Sequence, residues 1–463
     1  MRLPGMVLLA ATLAAQTVDR SKLPETPPLA AYKLPPTVEE TLANGLLVVS
    51  VRDVRFPVVA ARLGFRAGSK FDPAQRSGLS ETVAALLKEG TQARTGQQVV
   101  EEMAEIGGAI DAVSGPDNLV VNGSALSENL ARLLDILADV TQNAEFPEDE
   151  LKLRKQNRTQ ELLAARAEAA TLADEKLQAV LFGSHPYSRL LPAAESIAKI
   201  DRAALLDFRR RFLTPNNGIL VLTGALPPQP ELMKTITARF GSWAKGAAPP
   251  QPAAQFPPPR RALVLVDRPG SVQADIRAGK LSVDRTSPDY FPLIVANGIL
   301  GSGTSSRMFL HIREEKGYAY DAHSTQSPRR NGGFFAATTQ VRNEVVQPAL
   351  EDVLGELRTL SSQPVTTNEL TDVKNFMAGN FVIGLETQLG LANQLSMVKL
   401  NGLPSNYLEL YVTRVRSVEP DQILRVAKKY MSPDDAAIVV VGDAAAIGKA
   451  LEKFGRATVE KAR

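Results

Sequence analysis

The chain has 463 residues, with 53 Lys and Arg against 50 Asp and Glu, a formal net charge of +3, three His and no Cys. An apolar fraction of 44% and a charged fraction of 22% are typical of a globular protein with a hydrophobic core, and they exclude intrinsic disorder and a collagen-like fibre. The small net charge gives no support to nucleic-acid binding. Without Cys there are no disulfides, thiolate nucleophiles or thiolate metal ligands.

The amino terminus predicts a secretory signal over residues 1–15. Arg2 supplies a positive charge, and an apolar run from Met6 ends at Ala15 in small residues that suit cleavage. The alternative is a disordered or lipid-grazing N-terminus. The run is too short to span a bilayer, and no other stretch reaches about 18 apolar residues. We therefore expect an exported protein, in a periplasm, with no stable membrane span.

Two Pro-rich stretches divide the remaining chain. Residues 16–37 are predicted to be an extended lead-in, and residues 246–260 an interdomain linker. Between and beyond them lie an N-terminal domain, 38–245, and a C-terminal domain, 261–463.

Both halves repeat one order of hydrophobic patterns. In the first half, strands are predicted at 46–51, 58–63, 109–113, 118–124 and 218–222, and helices at 79–88, 97–106, 128–142, 147–180 and 202–212. In the second half, strands are predicted at 262–266, 274–278, 319–327, 333–341 and 437–441, and helices at 290–300, 305–316, 345–360 and 367–380. This repetition predicts an α+β fold of two structurally related domains, each a sheet covered by helices on one face.

Short distinctive phrases are spread along residues 38–450. They are Leu-Ala-Asn-Gly-Leu (42–46), Arg-Ala-Gly-Ser (66–69), Ser-Gly-Leu (77–79), Lys-Glu-Gly-Thr (88–91), Gly-Gly-Ala-Ile-Asp-Ala (107–112), His-Pro-Tyr (185–187), Thr-Pro-Asn-Asn (214–217), the Gly-rich segment 301–309 and Arg-Glu-Glu-Lys-Gly-Tyr-Ala-Tyr (313–320). Together these phrases resemble peptidase family M16, the pitrilysin/insulinase-like zinc peptidases. In size the chain is similar to the short, processing-peptidase-type subunits of that family, and the resemblance implies mostly antiparallel sheets.

The catalytic motif of the family is missing. Active members carry His-x-x-Glu-His on a helix, where the two His bind zinc and the Glu activates the metal-bound water. The resemblance assigns the first His to Glu81, the general-base Glu to Ala84 and the second His to Ala85. The third ligand falls on Glu161, and an accessory Glu falls on Arg154.

We therefore predict that this chain binds no zinc and does not hydrolyse peptides alone. Two carboxylates without imidazole, Glu81 and Glu161, suit harder cations such as Ca²⁺ or Mg²⁺ and need further oxygen ligands. The simpler alternative is that both are solvated helix residues.

A second element of the family is retained. The resemblance places a substrate-contacting Arg and Tyr of the C-terminal domain on Arg313 and Tyr320. A guanidinium can bind a peptide carbonyl, and a phenol can donate to an oxyanion. The alternative is a charged helix surface followed by a core strand residue. His185 is expected to be a structural loop residue, and His311 and His323 have no recognisable partner in the sequence.

These features lead to two hypotheses. In the first, the chain is the non-catalytic subunit of an exported heterodimeric zinc peptidase, with zinc and His-x-x-Glu-His on an active partner. It shapes the peptide chamber, binds extended peptide, and supplies Arg313 and Tyr320. In the second, it is an inert peptide-binding or scaffold protein of the same fold. A self-sufficient serine hydrolase is disfavoured because there is no Gly-x-Ser-x-Gly elbow with a partnered His.

Overall fold

Two six-stranded sheets organise the part of the chain that the computed structural model describes, residues 32–247, 252 and 255–462. The expected signal at 1–15 and the lead-in up to residue 31 lie outside these residues, as do 248–251, 253 and 254 of the expected linker. Residues 32–463 cluster into one unit. In the described ranges no helix is long and apolar enough to cross a membrane.

The first sheet has the strand order β1-β2-β6-β3-β5-β4. β2 and β6 run parallel, and the other neighbours are antiparallel. The strands are β1 (Thr37–Thr41), β2 (Leu47–Arg52), β3 (Val58–Phe65), β4 (Ala109–Ser114), β5 (Leu119–Leu126) and β6 (Gly218–Gly224).

The second sheet has the order β12-β7-β11-β8-β10-β9. Without its outermost strand β12, this sheet has the order β7-β11-β8-β10-β9, which has the same connectivity as β2-β6-β3-β5-β4 in the first sheet. In both sheets the first two strands of this series run parallel and the other neighbours are antiparallel. The duplication predicted from the sequence is therefore confirmed, and only the outermost strands β1 and β12 differ. The strands are β7 (Ala262–Asp267), β8 (Gln273–Ser282), β9 (Ala319–Arg329), β10 (Gly332–Arg342), β11 (Ala437–Gly442) and β12 (Thr458–Lys461).

Helices cover the sheets, and local capping signals define several of their starts. Thr95 and Thr366 form capping boxes with Gln98 and Glu369, and the Asp201 side chain accepts from the third residue of its helix. The helices are α1 (Leu79–Leu86), α2 (Gly96–Glu105), α3 (Leu130–Gln142), α4 (Glu148–Ala167), α5 (Ala169–Phe182), α6 (Ala194–Ala198), α7 (Arg202–Phe212), α8 (Gln229–Phe240), α9 (Tyr290–Gly301), α10 (Val346–Ser362), α11 (Thr367–Gly384), α12 (Gln388–Asn401), α13 (Tyr407–Arg416), α14 (Pro420–Tyr430) and α15 (Ala444–Leu451), with a π-helical segment at Phe309–Glu315.

Each sheet is covered on both faces, so the expectation of one covered face is wrong. Residues alternate across a strand, and those of β6 divide between two cores: Leu220 and Leu222 face the first half's own helices, while Ile219 and Val221 join the core that contains α12. The second sheet has the same arrangement, with α5 packed on β8 and β11. Each half thus contributes one helix to the sheet of the other half.

An arginine marks the same place in both sheets. Arg62 on β3 donates to Asn393 Oδ1 of α12 at 2.7 Å, and Arg277 on β8 donates to Asp174 Oδ1 of α5 at 2.6 Å. Each partner is the sixth residue of the helix that crosses from the other half. The duplication therefore extends from strand order to individual side chains.

The single helix expected over 147–180 is two helices. Glu168 has extended backbone angles, φ −87° and ψ 121°, and separates α4 from α5. The break lets α4 stay on the first half, while α5 buries Leu172, Leu177 and Leu181 against the second sheet. Because no Gly or Pro lies at this break, we attribute the break to tertiary packing.

A cluster of buried polar residues joins the two halves; we call it the interface cluster. Lys70, whose side chain is 1% exposed, donates to Asp117 Oδ1 at 2.9 Å and to Asn331 at 3.2 Å in the β9–β10 turn. The Tyr187 hydroxyl donates to the same Asp117 oxygen, and the Arg330 backbone N–H donates to the other at 3.0 Å. Because its charges are paired and bonded, the cluster fixes the hairpin turn against the first half.

Candidate functional site

Glu81 lies in the first turn of α1, whose start is fixed by a buried carboxylate. Gly78 precedes the helix with φ +93°, and Asp72 accepts from the backbone N–H groups of Gly78 and Ser80, both at 3.0 Å. Asp72 is 4% exposed, and burial raises its pKa to about 7. This cap orients the helix that carries the degenerate zinc positions.

Ala84 and Ala85 follow on α1. Ala84 is buried at 3% exposure in the core of the first half, and Ala85 is half-buried. Neither methyl group can ligate a cation or accept a proton. The alanines contribute packing alone.

Helix α4 brings two arginines and a glutamate opposite Glu81. Arg154 donates to Glu81 at 2.9 Å and to Glu161 at 3.0 Å. Arg158 donates to Glu81 at 2.9 Å and to Glu161 at 3.1 Å. These four side chains form a closed arrangement of two positive and two negative charges, which we call the Arg–Glu cluster.

The Arg–Glu cluster does not fit a zinc ion. Both carboxylates are already bound by guanidinium groups, and two positive charges beside the carboxylates oppose a divalent cation. Within the described residues no three His, Cys, Asp or Glu side chains gather into a group that could hold a metal. The side chains of the Arg–Glu cluster form an ionic link between α1 and α4.

Sequence reasoning found three of the four members of the Arg–Glu cluster and missed Arg158. Helix periodicity contains the signal, because residues 154, 158 and 161 are spaced by four and three positions and share one face of α4. The sequence also did not reveal that the two arginines bridge both carboxylates. Glu161 is exposed and Glu81 is half-buried, and both are paired with the two arginines.

Arg313 and Tyr320 lie together in the second half. Arg313 belongs to the π-helical segment, and its guanidinium lies 5.1 Å from the ring centre of Tyr320 and 4.5 Å from that of Phe309. Tyr320 is 87% exposed near the start of β9, which forms the edge of the second sheet. Tyr320 is thus a surface residue, contrary to the core-strand alternative.

The two sets of site residues are separate in this chain. Among the described residues no hydrogen bond or ion pair connects Arg313 or Tyr320 with the Arg–Glu cluster. Glu81 and Glu161 are brought together by arginines, and Arg313 and Tyr320 by stacking.

The three histidines have identifiable partners. His185 is buried, and its Nδ1 accepts from the Tyr187 backbone N–H at 3.1 Å, as expected for a structural loop residue. His311 Nδ1 lies 2.8 Å from Glu356, and His323 Nδ1 lies 2.6 Å from Asp321. Neither the His311 pair nor the His323 pair was apparent from the sequence.

The fold defines a class of protein, namely a duplicated α+β chain of two six-stranded sheets covered by helices. Residues 47–194 match the family model described as insulinase (peptidase family M16), and residues 199–377 match the peptidase M16 inactive domain. The chain belongs to peptidase family M16.

Relatives and solved structures agree with this assignment. The chain is similar to the uncharacterized zinc protease YmxG of Bacillus subtilis, at 23% identity over 402 residues that cover 86% of this chain and 97% of that protein. The crystal structure of a peptidase M16 inactive domain from Pseudomonas fluorescens is 25% identical, with a TM-score of 0.80 and coverage of 88% of this chain and 98% of that chain. A protease from Helicobacter pylori shares the fold, with a TM-score of 0.82 at 19% identity over 88% of this chain and all of that one.

Proposed function

We propose that this chain is the non-catalytic subunit of an exported, heterodimeric M16-type zinc peptidase. The observation that carries the proposal is a contrast within the chain. The positions of the zinc motif hold alanines and charge-paired side chains, whereas Tyr320 projects into solvent beside Arg313. An active partner with His-x-x-Glu-His would hold the zinc, and this chain would supply substrate contacts.

The chemistry of the two side chains suits this role. A guanidinium binds a peptide carbonyl without titrating, and the face of the Tyr320 ring keeps the Arg313 guanidinium near the phenol. A phenol can donate a hydrogen bond to the oxyanion that forms when the peptide carbonyl is attacked. Both groups act on the substrate, so the partner need supply only the metal and the general base.

An extended peptide can be bound by adding it to a sheet edge. Strands β4 and β9 are edge strands of their sheets, and β9 carries Tyr320. Main-chain hydrogen bonds to an edge strand hold a peptide with little dependence on its sequence, while side-chain subsites provide selectivity. The apolar run at residues 1–15 supports export to a periplasm.

The test is co-purification of the native complex, zinc analysis, and peptide hydrolysis with and without this chain. The isolated chain should not hydrolyse peptide. In the reconstituted pair, Tyr320→Phe should lower kcat about 100-fold, the loss typical of one missing oxyanion donor, and Arg313→Ala should raise KM. Tyr318→Phe is the matched control, since Tyr318 is half-buried against the core of the second half.

The second candidate is an inert peptide-binding or scaffold protein. The name of the relatives, zinc protease, does not distinguish between the two candidates, because a family member can keep the fold and lose the chemistry. Unchanged turnover by a reconstituted pair carrying both Arg313→Ala and Tyr320→Phe would reject the subunit proposal and favour the scaffold. So would a native complex that contains no zinc-binding chain.

A further inference from the structure

The backbone that carries Arg313 has an uncommon geometry, a π-helix over Phe309–Glu315. Its hydrogen bonds join residues five apart, as between the Lys316 N–H and the His311 carbonyl at 3.0 Å. Each turn therefore holds about one residue more than an α-helical turn does. Because π-helices are rare and are found mostly as single turns, contacts with the rest of the fold must hold this register.

Arg307, just before the π-helical segment, links it to the start of helix α11. Its Nε and Nη2 donate to the two carboxylate oxygens of Glu369 at 2.6 and 3.1 Å. A paired contact of this kind fixes the plane of the guanidinium as well as its position. Glu369 also accepts from the Thr366 N–H at 3.0 Å, within the capping box of α11. Arg307 is thus attached to a carboxylate that is itself held in place.

The Arg307–Glu369 pair is partly shielded from water and remains charged. The side chains are 16% and 31% exposed. The hydrogen bonds from Arg307 lower the pKa of Glu369 to about 2, so the carboxylate stays ionised at neutral pH. The pair should therefore hold its geometry better than an ion pair on an open surface does.

The π-helical segment has two further attachments to the second half. Met308 and Ile312 are fully buried in its core. His311 Nδ1 lies 2.8 Å from Glu356 Oε1 of α10. With Arg307 at one end and strand β9 following at the other, the segment is held at both ends, and the extra residue of the π-helical turn is retained between them.

The direction of the Arg313 side chain depends on this register. Its guanidinium stacks on the rings of Phe309 and Tyr320, and within the part of the chain that the structure describes its ion pair is with the adjacent Glu314, at 3.5 Å. A return to α-helical geometry would shift Arg313 by one position, or about 100° around the helix axis. The guanidinium would then no longer lie against Tyr320.

The first half shows that the duplicated fold does not require this geometry. The sequence Gly-Thr-x-x-Arg ends at Arg94 in the loop after α1 and at Arg307 in the loop after α9. Arg94 is followed by the regular helix α2, and it donates to Glu102 of that helix and to Asp139 of α3. The π-helix and its link to α11 are therefore features of the half that carries the candidate substrate contacts.

We propose that Arg307 is a positioning residue for the bound peptide. Through its pair with Glu369 it holds the π-helical register, and this register keeps the Arg313 guanidinium beside the Tyr320 phenol. The inference rests on the proposed function, in which Arg313 and Tyr320 contact the substrate. Arg307 itself acts on the peptide only through these two residues.

Peptide hydrolysis by the reconstituted pair of subunits tests the inference. Arg307→Gln should lower kcat/KM about 100-fold, a typical result of displacing a substrate-positioning group. Arg307→Lys keeps the charge but loses the two-pronged contact, so it should fold and lose only about tenfold. Glu369→Gln can still complete the capping box, and it should lower kcat/KM because the ion pair is lost.

Two control variants separate positioning from a general loss of stability. Thr366→Ala removes the capping box of α11 and leaves the atoms of the Arg307–Glu369 pair in place. Arg94→Gln removes the corresponding arginine of the first half. Both should lower the urea midpoint and leave kcat/KM unchanged. Losses of kcat/KM in the controls as large as that of Arg307→Gln would overturn the proposal.

A double-mutant cycle shows whether Arg307 acts through Arg313. In an Arg313→Ala background, Arg307→Gln should have little further effect on KM, whereas additive effects would reject the positioning role. Hydrogen exchange of residues 309–320 in the isolated chain should rise in Arg307→Gln, and unchanged exchange would also reject it. If Arg313→Ala with Tyr320→Phe leaves turnover unchanged, the proposed function fails, and the exchange measurement alone decides whether Arg307 holds the register.

Discussion

Glu81→Ala tests the interpretation that the Arg–Glu cluster is an ionic link between α1 and α4. The substitution removes two charge-assisted hydrogen bonds of 2.9 Å and leaves Arg154 and Arg158 with Glu161 alone. The side-chain exposures are 35% for Glu81, 21% for Arg154 and 15% for Arg158. We therefore expect each ion pair to stabilise the fold more than an exposed pair does and less than a buried pair does. The substitution should lower the free energy of unfolding by about 1–2 kcal/mol.

The assay is urea unfolding followed by the fluorescence of Trp243, the single tryptophan, which packs against Phe65 and Phe240 in the first half. The matched control is Glu105→Ala, which removes an exposed pair with Arg132 at 2.8 Å. With side chains 64% and 47% exposed, that pair should contribute less than about 0.5 kcal/mol.

A double-mutant cycle then separates the link from general effects. Glu81→Ala, Arg158→Ala and their combination should give a coupling free energy of about 1 kcal/mol, and it should shrink in 1 M salt. A loss for Glu81→Ala no greater than that for Glu105→Ala, or a coupling near zero, would refute the reasoning.

Two further predictions concern buried carboxylates. Because the pKa of Asp72 is raised to about 7 from 3.8, the folded state binds this proton more tightly, and its stabilising contribution is lost as the pH rises through that range. Relative to Asp72→Asn, the wild type should lose unfolding free energy between pH 4 and pH 7 in urea titrations; a constant difference would contradict this. Asp117→Asn should lower the free energy of unfolding by about 3 kcal/mol, because it leaves the buried charge of Lys70 without its ionic partner. Hydrogen exchange in the β9–β10 turn should rise with that loss, and Lys70→Met with Asp117→Leu should recover much of it; an unchanged turn would argue against the interface cluster.

The inner strands were predictable from the sequence because they are continuous apolar runs between turn residues. β6 and β11 are buried along their whole length, and both were predicted within two residues of their ends. The edge strands β1 and β12 were missed, since they are short and mostly exposed and carry no apolar pattern.

The crossing helices were the main element that the sequence did not reveal. α12 was not predicted, because it buries residues on several faces and lacks a single apolar stripe. α5 was merged with α4, since no breaker separates them. In both cases the helix is defined by its contact with the other half, and a local pattern cannot report such a contact.

The sequence predicted which catalytic residues are missing from the candidate site, but it did not predict the ion pairs found there. The absent general base and the absent second His ligand follow from residue identity at Ala84 and Ala85. The pairing of Glu81 with two arginines depends on how α1 meets α4, which the sequence does not specify. Tyr320 was compatible with either a core or a surface position, and its exposure depends on β9 being an edge strand.

The exchange of α5 and α12 has a consequence for any attempt to divide the molecule. Cutting the backbone within 246–260 should not release two independent fragments, since each piece would retain a helix embedded in its counterpart. Either piece expressed singly would display a bare apolar sheet face and should aggregate. Coexpressed from separate reading frames, the pieces should recover a joint native state, so the peptide connection is dispensable once both are made.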